Sequence, residues 1–174
     1  MKILYLLISA IFLFVTIPVF SEQKIVFINM DKVISISNAG SSILKQLTDL
    51  NNNNLEFFKK EEKKFKEKET KLISQKNIIT EADFQNKVNE LKSEIKNYNL
   101  NRNKMLADFN KLKIDNTNNL LELINPILVK FSNDKEIAII LQKKDLVVAK
   151  TQLDITDEVI KIVNSEVKEF KINE

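Results

Sequence analysis

The chain contains no histidine and no cysteine, one glycine and two prolines in 174 residues. Without histidine or cysteine the commonest general bases, nucleophiles and soft metal ligands are missing. A lone glycine cannot build a phosphate-cradling loop. Carboxylate pairs do occur, at Glu61-Glu62 and Asp157-Glu158, but on charged helices they read as solvated faces or caps. Neither an enzymatic activity, a metal nor a cofactor is expected. The lack of cysteine also means that no disulfide staples the fold, so stability must come from helix packing and from association. So little glycine and proline excludes a sandwich or barrel, which needs frequent turns, and makes long helices the default.

What is present fits a folded protein, with 44% hydrophobic and 29% charged residues. Met1 to Ser21 reads as a secretory signal, with Lys2 at its start, an apolar run from Ile3 to Ile17, and Val19-Phe20-Ser21 as the cleavage site. An uncleaved membrane anchor is the competing reading, against which Pro18 and the small Ser21 argue. Export to a compartment without ATP leaves binding energy as the means of handling any partner. Charge is unevenly spread. Leu55 to Lys113 holds fifteen basic and ten acidic residues, while the rest of the exported chain is mildly acidic. A positive middle between negative ends suits attraction to anionic surfaces, anionic lipid included, or to acidic unfolded chains.

Lys24 to Asn29, KIVFIN, reads as a buried strand. Gly40 suits a helix end or a turn where positive φ is needed, and Ser41 or Ser42 can cap the following helix. From Ile43 to about Gln75 nothing breaks a helix. Leu44, Asn51, Phe58, Phe65, Leu72 and Ile79 fall seven apart, but the partner positions are polar, so this arm is thinly hydrophobic. A richer seam follows at Phe84, Val88, Leu91, Ile95, Tyr98, Met105, Phe109 and Leu112, interrupted by Arg102. Thr80 three residues before Asp83 resembles a capping box, which puts a turn at residues 77–80 and folds the second arm, Glu81 to about Leu123, back on the first. A single uninterrupted helix is the rival arrangement.

Asn125-Pro126 is expected to end or kink the returning helix, with a further helical turn or two through Phe131 before a loop at Ser132 to Lys135. EIAIIL (Glu136 to Leu141) and LVVA (Leu146 to Ala149) read as a β-hairpin, and Asp154 or Thr156 as the cap of a short helix in which Val159, Ile160, Val163 and Val167 share a face. The expected fold is mainly α with a small β body: a long antiparallel helical hairpin, residues 43–123, projects from a sheet-containing oligomerisation body formed by residues 22–42 and 124–174. Ile25, Phe27, Ile137, Ile139, Leu141, Val147 and Val148 are the expected body core. Three short strands make a small core, which argues for an oligomer.

The signal, KIVFINMDKVISISNAGSSILKQL, a Lys/Glu-rich hairpin and EIAIILQKKDLVVAKTQLDITDEVIKIVN together resemble the Skp or OmpH family of periplasmic chaperones across essentially the whole exported chain. The continuation NMDKV and the closing LDITDEVIK carry the likeness most specifically. Family members often have a glycine before the penultimate strand and a tyrosine near the end of the last, where this chain has Ser132 to Lys135 and Ala149. The resemblance implies a trimer whose subunits join strands into a barrel-like body and extend tentacles around a cavity. Unfolded outer-membrane proteins are held there without ATP.

Within that reading Lys59, Lys60, Lys63, Lys64, Lys66, Lys68, Lys71, Lys87, Lys92 and Lys96 supply an attractive field. Phe57, Phe58, Phe65 and Leu72 are either apolar client contacts or hairpin core. Many weak contacts without a fixed pose suit clients that alternate apolar and polar residues. The other class of function is an exported coiled-coil adaptor or envelope scaffold with no client. Nucleic acid is disfavoured as a partner, because the signal sends the protein away from it.

Overall fold

The structure, a computed structural model, describes residues 23–172. The export signal and its cleavage point lie outside the described residues. In chain order the elements are β1 (Lys24–Ile28), α1 (Met30–Ile36), α2 (Asn38–Gln75), α3 (Glu81–Asp134), β2 (Ile137–Gln142) and α4 (Thr156–Glu166). Two short 3-10 turns, Lys143–Asp145 and Thr151–Leu153, lie between β2 and α4. Among the described residues no helix is long and apolar enough to cross a membrane.

α2 and α3 form the antiparallel hairpin. Their 38 and 54 residues, at about 1.5 Å per residue, span roughly 57 and 81 Å. The turn falls where the cap chemistry places it: Thr80 Oγ1 accepts from the Asp83 amide at 3.1 Å, and Glu81 and Asp83 sit at the positive end of α3. Beyond the turn, Lys68 meets Glu94 and Glu62 meets Arg102, pairings that only a doubled-back chain allows.

The body is built on a parallel pair, β1 against β2, with Lys24 opposite Ile137 and Ile28 opposite Gln142. On the other side of β1 the Ile155 amide donates to the Phe27 carbonyl at 3.0 Å. β1 is therefore central, which is why Val26, Phe27 and Ile28 are all buried. Val33 of α1, Leu120, Ile124 and Ile127 of α3, and Val159 and Val163 of α4 close the core around it.

Four local expectations differ. Ser37, not Ser41 or Ser42, caps α2 by accepting from the Gly40 amide at 3.2 Å. Gly40 does not take positive φ; it sits in the first turn of α2, where a Cβ would lie 1.6 Å from the Ile34 carbonyl oxygen. Close approach of α1 to α2 is what requires glycine. Pro126 does not end α3, which runs on to Asp134. Its missing amide deprives only the carbonyl of Glu122, an exposed residue, of its helical donor, while buried Ile124 and Ile127 on the core face hold the helix. Finally, LVVA is no strand and there is no hairpin with EIAIIL: among the described residues the sheet has two strands, and Val147 and Val148 are 99% and 88% exposed.

Candidate functional site

The arm is held shut at mid-length by an aromatic knot. Phe58, 3% exposed, meets Tyr98 edge-on with ring centroids 6.4 Å apart, and Phe65 packs on the other side of Tyr98 at 5.2 Å. The Arg102 guanidinium lies 5.2 Å from the centre of the Phe58 ring and bonds Glu62 Oε1 at 3.0 Å. The Tyr98 hydroxyl donates to the same carboxylate at 3.1 Å. Burial and the Glu62 carboxylate both push the Tyr98 hydroxyl pKa up. Arg102 thus interrupts the apolar spacing without interrupting the packing. Phe58 belongs to the hairpin core, Phe65 and Leu72 are half-buried along the seam, and Phe57 is 45% exposed on the flank.

Around the knot the lysines divide. Lys64 pairs with Glu61 at 2.6 Å, Lys68 with Glu94 at 2.5 Å, and Lys63 more loosely with Glu67 at 3.8 Å. Lys59, Lys60, Lys66, Lys71, Lys87, Lys92 and Lys96 are exposed and form no ion pair among the described residues. Their charge is spent on the field around the arm. One flank of the hairpin carries shallow grooves. One of about 350 Å³ is lined by Phe57, Lys64, Phe65, Tyr98 and Asn101, and another of about 560 Å³ nearer the body by Leu50, Asn54, Met105, Phe109 and Leu112. Apolar floors with charged rims can hold extended chain by many weak contacts. No cluster of acidic side chains among the described residues is arranged to hold a metal ion.

Near the base of the arm Asn116 is 2% exposed, and its Oδ1 has no partner although its Nδ2 donates to the Leu112 carbonyl. Sequence reading missed Tyr98, Arg102 and Glu62 as a unit; the signal that finds it is that Phe58 and Tyr98 lie at nearly equal distances in sequence on either side of the turn. Of the residues expected in the body core, Phe27 and Ile137 are buried within the chain. Ile25, Ile139 and Leu141 are 44%, 46% and 40% exposed, Ile25 and Ile139 being paired across the sheet, and Val147 and Val148 after β2 are exposed apolar residues of the body as well.

Comparison with known proteins places this architecture. No curated protein matches the sequence. The crystal structure of a protein described as an OmpH-like outer membrane chaperone, from Caulobacter crescentus CB15, superposes with a TM-score of 0.79 at 11% identity, covering 87% of this chain and 89% of that one. That likeness is one of fold. The family described as Outer membrane protein (OmpH-like) matches residues 24–163, from the first residue of β1 into α4. The chain belongs to the OmpH-like family.

Proposed function

We propose that this protein is a periplasmic holdase, which keeps unfolded outer-membrane proteins from aggregating in a cavity between basic helical arms and does so without ATP. The observation that carries the reading is the set of seven exposed lysines without ion pairs on an arm whose grooves have apolar floors. Long-range attraction gathers clients, and shallow apolar contacts hold them without a fixed pose. Family membership and the chaperone description of the structural neighbour support it. On this reading the signal is cleaved after Ser21, residues 43–123 are the arm, residues 22–42 and 124–174 the body, and three subunits associate through the body. The exposed apolar residues Ile25, Ile139, Leu141, Val147 and Val148 support association, since one chain alone does not cover them. Anionic lipid is a further partner that the arm's charge admits.

The test is dilution of a urea-unfolded outer-membrane barrel into the purified protein without nucleotide. Light scattering from the client should stay low, and changing Lys59, Lys60, Lys66, Lys71 and Lys87 to Gln should weaken protection and flatten its dependence on salt. Full aggregation in the presence of the native protein would leave an exported adaptor, with no client, as the better reading.

A further inference from the structure

Beyond α4 the chain leaves the helix at Val167, in extended conformation at φ −100° and ψ 115°, and runs back along the base of α2. There Gln46 takes hold of it. The Gln46 Nε2 donates to the Phe170 carbonyl at 3.0 Å, and its Oε1 accepts from the Ile172 amide at 3.1 Å. A donor and an acceptor that read the carbonyl of one residue and the amide of the residue two further on reproduce the bonding of one residue in a parallel strand pair. Phe170 and Ile172, two apart and so on one side of an extended chain, both pack partly buried against the body core, while Lys171 between them is exposed. Main-chain bonds that give affinity, combined with a seat for alternate side chains that selects the apolar–polar alternation, are how proteins bind extended peptides.

Apart from the partly buried Phe170 and Ile172, little else fastens this segment among the described residues. Among the described residues, the two bonds from Gln46 are the only hydrogen bonds to residues 168–172, and Lys168, Glu169 and Lys171 form no ion pair. The seat itself is firm, because Ile43 and Leu47, flanking Gln46 on the inner face of α2, are buried, and the Gln46 amide also bonds the Ser42 carbonyl at 3.3 Å. A rigid seat with a lightly held occupant is the arrangement of an exchangeable site.

We propose that the surface around Gln46 is a binding site for extended peptide of alternating apolar and polar residues, that the chain's own tail is its resident occupant, and that a segment of an unfolded client displaces it. The last step rests on the holdase reading; the site does not. The tail competes as a tethered ligand, at the millimolar effective concentration of a short linker, so only clients present locally at similar density exchange with it. Unfolded barrel strands have the same alternation as Phe170-Lys171-Ile172.

The experiment follows the Gln46 side-chain amide signal by nitrogen-15 NMR. It is titrated with a peptide of residues 167–174 and with a barrel-strand peptide, in the full chain and in a chain ending at Val167. A full-length Phe170→Ser, Ile172→Ser variant keeps the length and loses only the anchors, and so replaces the shortened chain should that one fail to fold. Both peptides should shift the signal in the shortened or anchorless chain, with at least tenfold more peptide needed in the native chain. Gln46→Ala should reduce the affinity of the anchorless chain at least fivefold, read from its backbone signals. Equal response in native and anchorless chains, or none in either, overturns the proposal. Response to the tail peptide alone overturns the client step. Failure of the native protein to keep an unfolded barrel in solution is a separate result, which tells against the holdase reading and leaves the peptide titration standing.

Discussion

At the scale of single residues, the backbone explains more than the side-chain pattern does. Glu136, just past the end of α3, has φ 53°, the left-handed conformation that costs a residue with a Cβ about 1–2 kcal/mol. Glycine is free of that cost but loses more chain entropy on folding. Glu136→Gly should therefore stabilise the protein by about 0.5–1 kcal/mol net, seen as a rise of about 1–4 °C in Tm. Asp154 is a second local case. Burial tends to raise its pKa, but bonds from the Thr156 hydroxyl and amide and from the Lys143 ammonium together hold it below the usual carboxylate value of 3.8. A depressed folded-state pKa contributes stability that is present above the unfolded value and lost as pH falls through the folded one. Asp154→Asn should remove that contribution, so Tm measured from pH 5 down to pH 2.5 should fall less steeply in the variant than in the native protein.

At the scale of elements, the hairpin was legible and the body only partly so. Four-and-three spacing from Phe84 to Leu112, with Thr80 and Asp83, located the turn, because helical periodicity and caps are local chemistry. Pro126 left open whether the helix ends or only bends, because that depends on whether the carbonyl it abandons can be spared, and only the fold decides that. LVVA misled because a β-branched run reads alike whether it pairs in a sheet or lies uncovered on a surface. The apolar face of α4 was legible: Val159, Ile160 and Val163 are buried on it, and Val167, read as part of the helix, is buried just past its end. For the candidate site, the lysine field was visible as charge. The separation of core Phe58 from open Phe57 needed the helix phase that pairing with α3 imposes. Asn116 gives this scale its own prediction. A buried amide with one unbonded oxygen weakens the base of the arm, and Asn116→Leu should raise the midpoint of urea unfolding by an amount worth about 1 kcal/mol. If the polar group also fixes the register of α2 against α3, the Lys68–Glu94 pairing should loosen in the same variant, read as lost coupling in a double-mutant cycle.

At the scale of the whole molecule, an arm with little apolar cover is joined to a body with an uncovered apolar surface. Val147→Asp together with Val148→Asp puts charge on that surface without touching the internal core. On the proposed association, light scattering should give a multiple of the chain mass for the native protein and the mass of one chain for this variant, with helical circular dichroism unchanged. The parallel pairing of β1 with β2 has a consequence of a different kind. The entire arm lies between these partners in sequence, so neighbours in the finished sheet are separated by most of the polypeptide. Closing so long a loop through a random coil is entropically slow, whereas a zipped hairpin delivers its two ends side by side. The rods thus act as the folding guide of their own foundation. β1, first of the described elements in the chain, stays a bare sticky edge until β2 is delivered to it, so the interval between those events is when the newborn chain is itself most exposed to misassembly.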